Sequence, residues 1–136
     1  MKSVAIFPYD FSVDAEFGLV SKPTVRIELT SEVERLVVDS ILDSGADITI
    51  LPLRIGQLLG LRSENGRILE FADVNGDLFL LRLRRVGLRI GNSKIVSVRI
   101  GWSLSNDVEV ILGRLDVFKH FSFEFNHDKQ EIRVKQ

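Results

Sequence analysis

Short runs of alternating apolar and polar residues fill most of this chain, and turn-forming residues break them at intervals of roughly ten residues. Side chains alternate faces along a strand, so this period of two predicts β-structure with one buried face. The runs Val4–Phe7, Thr24–Leu29, Leu36–Leu42, Ile48–Leu51 and Arg67–Val74 are predicted strands. So are Asp77–Ile90, Lys94–Gly101, Val108–Leu112, Ser122–Phe125 and Glu131–Lys135. Asn65-Gly66, Asn75-Gly76 and Gly91-Asn92 are strong turn signals, and a closing hairpin is expected around Asn126-His127-Asp128-Lys129. Two stretches look helical. Pro52 opens one whose Leu53, Ile55, Leu58 and Leu59 form an apolar set stopped by Gly60. The other, Arg114–His120, places Leu115 and Phe118 three apart. The pattern predicts an all-β barrel or sandwich with one or two short helices.

One irregularity stands out after Gly76. Leu81 and Leu83 share one parity, while Val86, Leu88 and Ile90 share the other. A single buried face therefore has to switch sides, and a β-bulge or bend near Arg84-Arg85 is the expected device.

Composition adds limits. The chain has 136 residues, enough for one domain spanning 1–136, with 45% apolar content that supports a sizeable core. It holds no cysteine, which excludes thiol catalysis and cysteine-based zinc sites. A formal net charge of −1 gives no general attraction to nucleic acid or membrane, and the basic run Arg82–Arg85 reads as one polar strand face. Asp10, Asp14 and Glu16 interrupt any secretory-type apolar stretch near the start. The expectation is a soluble cytoplasmic protein with no nucleic-acid or membrane partner and no cofactor.

The candidate chemistry lies between two apolar runs. Leu36–Leu42 leads into Asp43-Ser44-Gly45-Ala46-Asp47, and Ile48–Leu51 follows. Asp and Ser hydrogen-bond nearby backbone and Gly permits close approach, so the tripeptide alone fits an ordinary turn. Its apolar flanks predict that Asp43 sits at the floor of some feature of the fold and not on a loop tip. The alternating Asp73, Asn75 and Asp77 superficially resemble a calcium loop. However, Leu78 stands at the glycine position and Arg84 at the bidentate-acid position, so no metal site is expected. His120 and His127 receive no role.

Leu42–Asp47 resembles the active-site signature of the retropepsins, the retroviral-type single-domain aspartic proteases, in the small stand-alone form found in prokaryotes. A second motif of that family, two apolar residues followed by Gly and Arg, is matched by Ile111-Leu112-Gly113-Arg114. The segment centred on Val74–Asp77 stands where the family has its flap, and the resemblance extends from about residue 22 to the C-terminus. It implies a closed acid-protease-type barrel with a flap hairpin region over 67–90 and an N-terminal extension over 1–21. It also implies an aspartic endopeptidase active only as a homodimer on a peptide or protein substrate, since one chain supplies one Asp-Ser-Gly.

The resemblance implies the following roles. Asp43 is the catalytic carboxylate, Ser44 bonds across the two-fold axis, and the Gly45 carbonyl meets substrate backbone. Ala46 leaves room for substrate, Asp47 binds it and pairs with Arg114, and Gly113 supports that pair. The flap residues Ala72, Asp73, Val74, Asn75 and Gly76 cover the bound chain, and activity is favoured at mildly acidic pH. Because Arg114 follows an apolar pair, its pairing with Asp47 is expected to be buried. Asn75-Gly76 is expected to form a type I′ turn. The flap departs from the usual glycine-rich tip by carrying Asp73 and Asp77. That departure keeps a second reading open, a catalytically silent dimeric binding or assembly module.

Overall fold

The computed structural model describes residues 1–64 and 66–136; Asn65, half of one expected turn, lies outside the described residues. Among the described residues, twelve strands and one helix follow in order. They are β1 (Ser3–Pro8), β2 (Asp10–Asp14), β3 (Gly18–Lys22), β4 (Thr24–Thr30), β5 (Arg35–Leu42), β6 (Thr49–Leu51), α1 (Leu53–Leu58) and β7 (Ile68–Ala72). The remainder are β8 (Leu78–Arg89), β9 (Val96–Ser103), β10 (Ile111–Leu112), β11 (Ser122–Asn126) and β12 (Glu131–Lys135).

Six strands close a barrel. Their order is β4-β5-β10-β6-β9-β8, and β8 returns to pair with β4 through Glu28↔Arg89, Leu29↔Leu88 and Thr30↔Gly87. Closure leaves these strands no free edge within the ring. The seam carries an ion pair as well, with Arg89 2.7 Å from Glu28 and Arg35 3.1 Å from its other oxygen. The interior follows the period of two. Val25, Ile27 and Leu29 of β4 meet Val86, Leu88, Val98, Ile100 and Leu112 in one fully buried cluster. Burying each such side chain contributes roughly 1.5–3 kcal/mol.

α1 forms where expected, with Pro52 at its N-cap and Gly60 at φ 72° just beyond its end. Its Gly56 is required by packing, since a Cβ there would lie 2.0 Å from the Trp102 indole nitrogen. Trp102 is core, 1% exposed, and donates its indole N–H to the Leu53 carbonyl at 3.1 Å. Among the described residues, no helix is long and apolar enough to cross a membrane.

Three local expectations are corrected. Arg114–His120 is a series of turns and not a helix, because Asp116 adopts φ 63° in the left-handed region and interrupts the helical path. No bulge interrupts β8, which pairs with β9 in unbroken register from Leu81↔Ser103 to Leu88↔Val96. The two parities instead serve two faces. Val86 and Leu88 fill the barrel, while Leu81 is buried on the other face against Gly101, where a Cβ would meet its Cδ1 at 2.6 Å. The type I′ turn at Asn75-Gly76 is replaced by a three-residue loop, Val74-Asn75-Gly76, described below.

Residues 1–22 divide in two. β1 pairs with β12, which pairs with β11, in a three-stranded sheet beside the barrel. β2 and β3 form a separate two-stranded hairpin.

Candidate active site

The Asp43 loop is held by the shortest strand of the barrel. β10 contributes only Ile111 and Leu112, yet it pairs parallel with β5 at Ile41 and Leu42 and antiparallel with β6 at Ile50. It lies between the strand that enters the Asp43 loop and the strand that leaves it. The Asp43 N–H donates to the Leu112 carbonyl at 3.0 Å, extending the ladder one residue past β5. Apolar Leu42, Leu51 and Leu112 anchor this crossing in the core, so the loop position is fixed by burial of its neighbours.

Gly113 makes the crossing possible. Its N–H donates to the buried Thr49 hydroxyl at 3.0 Å, and an added Cβ would lie 2.5 Å from the Ile48 carbonyl. The following amides continue the lacing. Arg114 N–H donates to the Ala46 carbonyl at 3.0 Å and Leu115 N–H to the Asp47 carbonyl at 2.9 Å.

Within the loop, one Asp43 carboxylate oxygen accepts the Gly45 N–H at 2.9 Å, and the Asp43 carbonyl accepts the Ala46 N–H at 3.1 Å. Short-range bonds of this kind are what Asp in a tight turn makes. They fix the carboxylate orientation while leaving its second oxygen without a protein donor among the described residues. In the single chain Asp43, Ser44 and Gly45 are all exposed.

Arg114 joins both ends of the loop. One guanidinium nitrogen donates to the Ser44 carbonyl at 3.1 Å and another to the Asp47 carboxylate. The burial expected for this pair is not found, as the Arg114 and Asp47 side chains are 47% and 79% exposed. Arg114 follows the core strand, but its guanidinium reaches the Ser44 carbonyl and the Asp47 carboxylate on the exposed loop, so the side chain stays at the surface.

The face around Asp43 is apolar. Ile41, Ile111 and Ile50 form a cross-strand row through neighbouring β5, β10 and β6, and each is half-buried where Leu42 and Leu112 are buried. Strand alternation puts Asp43, two residues beyond Ile41, on this same outer side. The sequence named Ile111 within the second motif but did not single out Ile41 or Ile50, nor the row the three form. Their parity relative to Asp43 was the available signal.

The flap residues form their own hairpin, β7 with β8, in which Phe71 and Phe79 stack with centroids 6.0 Å apart. Gly76 N–H donates to the Asp73 carbonyl at 3.0 Å, and Asp73 N–H to the Asp77 carbonyl at 2.9 Å. Only Gly76 has positive φ, at 82°, so the loop is a type I turn followed by a left-handed residue. The Asp73 carboxylate accepts the N–H groups of Asn75 at 2.8 Å and Asp77 at 2.9 Å. This acid therefore builds the turn. The hairpin runs outward to Val74, which is fully exposed, and Leu78 is 69% exposed.

Asp43–Asp47, Gly113 and Arg114 thus come together through direct hydrogen bonds, while Ala72–Gly76 stand on a separate hairpin with no hydrogen bond to that loop among the described residues. The described residues gather no cluster of three or more His, Asp or Glu side chains fit for a metal ion. The important pair that the sequence did not reveal is Asp116 with Arg99, which ties the segment after Arg114 to β9.

Neither a family model nor a curated protein matches this sequence. Solved structures do match. One is a retropepsin-like aspartic protease from Rickettsia conorii, with 16% sequence identity and a TM-score of 0.61, covering 93% of this chain and 98% of that one. At this identity the likeness is one of fold, and the closed barrel with its flap hairpin and short helix is the retropepsin fold.

Proposed function

We propose, from the retropepsin fold of this chain, that it is an aspartic endopeptidase working as a homodimer. The observation that carries this reading is the Asp43 loop, laced to Leu112, Gly113 and Arg114 and presenting an exposed carboxylate beside the half-buried row Ile41, Ile111 and Ile50. A carboxylate so held is preorganised for one task. Hydrolysis requires a second carboxyl, so that one activates water as base while the other protonates the scissile carbonyl. One chain supplies a single Asp-Ser-Gly, and two-fold symmetry sets Asp43 opposite its own copy.

The remaining roles follow. Ser44 bonds across the axis, the Gly45 carbonyl and Ala46 line the backbone of an extended peptide, and Asp47 holds its end with Arg114 as support. Apolar subsites come from the isoleucine row. Backbone amides of the Ala72–Gly76 hairpin close over the substrate in the manner of an added strand. The acidic flap was the feature that favoured a silent binding module. Asp73 has an architectural task in the turn, which accounts for one of the two acids, and Asp77 leaves the binding module as the second reading.

Asp43→Asn is expected to abolish cleavage of a mixed peptide library at about pH 5 while leaving mass in solution and circular dichroism unchanged. Cleavage retained by the variant would overturn the mechanism. A stable wild-type dimer that cuts nothing would move the assignment to the binding module.

A further inference from the structure

The β2–β3 hairpin is a ribbon with no visible reason to carry apolar side chains. Its ladder runs from Asp10↔Lys22 to Asp14↔Gly18, and nearly every residue in it is exposed. Alternation places Phe11, Val13 and Leu19 on one face, 48%, 82% and 72% exposed, with Phe17 in the turn at 78%. A lone two-stranded hairpin is marginal in water. This one is nevertheless built with care, since the Asp14 carboxylate accepts the Glu16 N–H at 2.8 Å and the Phe17 N–H at 3.0 Å, with Gly18 at φ 72°.

Its position narrows what it meets. β3 leads through Pro23 into β4, and the Pro23 carbonyl accepts the Leu42 N–H at 2.8 Å, one residue before Asp43. The ribbon thus leaves the barrel at the end that presents Asp43. A hollow at its base, lined by Tyr9, Lys22 and Phe125, adjoins through Phe125 a groove of about 510 Å³. That groove is lined by Met1, Leu42, Phe118, Phe123 and Phe125 and reaches Ser44.

We infer that the hairpin is a clasp for a second copy of this chain, its Phe17 and Leu19 seated in the copy's aromatic groove. The inference rests on the dimeric reading above and deepens it. The argument is one of area and continuity. A stable pair buries about 800 Å² per partner. The loop 43–47 meeting its own copy supplies five residues, far short of that. Aromatic side chains bury roughly 150–250 Å² each, so the four apolar residues of the arm and the groove residues make up the difference. A two-fold axis beside Asp43 also brings the arm of each copy to the groove that borders the other copy's Ser44, and the contact closes on itself.

Analytical ultracentrifugation of the full chain tests this with the double variant Phe17→Ser, Leu19→Ser. Both side chains are exposed, so circular dichroism is expected to be unchanged. The dimer Kd is expected to rise at least about tenfold, as for removal of interface anchors. Any cleavage activity should fall with the dimer fraction and return at high protein concentration. Ile95→Ser, exposed elsewhere on the barrel, should leave Kd unaltered. A variant with the wild-type Kd overturns the clasp while leaving the catalytic dimer standing. An equal shift in Ile95→Ser, or a strictly monomeric wild type, also overturns it. Amide protection over residues 10–22 that grows with protein concentration supports the clasp. Protection appearing only on addition of substrate peptide or phosphatidylcholine vesicles overturns it and assigns the face to that occupant. Mass and exchange read the arm whether or not the protein cuts, so failure of the clasp and failure of the protease reading are separable.

Discussion

Asp116 and Arg99 form a two-pronged ion pair, Nε to Oδ2 at 2.7 Å and Nη2 to Oδ1 at 2.9 Å, and the Arg99 backbone N–H adds a third bond at 3.0 Å. Asp116 is buried and sits at φ 63°, a conformation that costs a non-glycine residue on the order of 1–2 kcal/mol. The three bonds offset that strain and pin the segment after Arg114 to β9.

The Arg99 guanidinium holds the Asp116 carboxyl well below its ordinary value of 3.8, with Lys119 and the Arg99 amide assisting against burial. A carboxyl depressed in the folded state contributes stability above its unfolded pKa, and that contribution is lost as pH falls toward the folded value. Asp116→Asn is therefore expected to cost about 2–4 kcal/mol near neutral pH and less as pH drops below about 4. Denaturant titrations across pH 2–7 measure the difference. A cost that does not shrink in acid would mean that packing, not charge, dominates at this position.

Arg114 presents the opposite case. Its pair with Asp47 is largely exposed, and exposed pairs contribute about 0–1 kcal/mol. Arg114→Ala is expected to lower folding stability by no more than about 1 kcal/mol in dilute protein, even though the loop loses its tie to the Ser44 carbonyl. Loss of about 3 kcal/mol or more would indicate a pair closed off from solvent in the working assembly.

Gly113→Ala puts a methyl carbon 2.5 Å from the backbone of Ile48, which cannot swing away as a side-chain tip can. The expected cost is about 2–3 kcal/mol, together with loss of any cleavage, since the Asp43 loop moves with Ile48. Chemical denaturation and a peptide assay are sufficient. A change in stability below about 0.5 kcal/mol would show that the crossing of β10 and the loop relaxes without strain.

Local chemistry wrote much of this structure into the sequence. Nine of the ten predicted strands appear within about two residues of their expected ends, because burial of one face makes period two hard to evade. Pro52 and Gly60 bounded the helix through backbone restrictions that act within a few residues. The Asp43 and Gly113 motifs were legible as residue strings, and Asn75-Gly76 marked the flap turn.

What tertiary structure decided was contact between distant positions. Leu81 reads as a parity error until Gly101 of β9 opens space for it on the outer face. Arg114–His120 has helical spacing, yet Arg99, on a strand that ends before it begins, draws Asp116 into a left-handed turn. Arg114 seemed bound for the interior, and only its bonds to the Ser44 carbonyl and the Asp47 carboxylate, 70 and 67 residues away, hold it at the surface. Alternation and turn chemistry act between near neighbours and survive in a linear string. Space, salt-bridge reach and solvent access are set by residues far apart in sequence, and exist only once the barrel has closed.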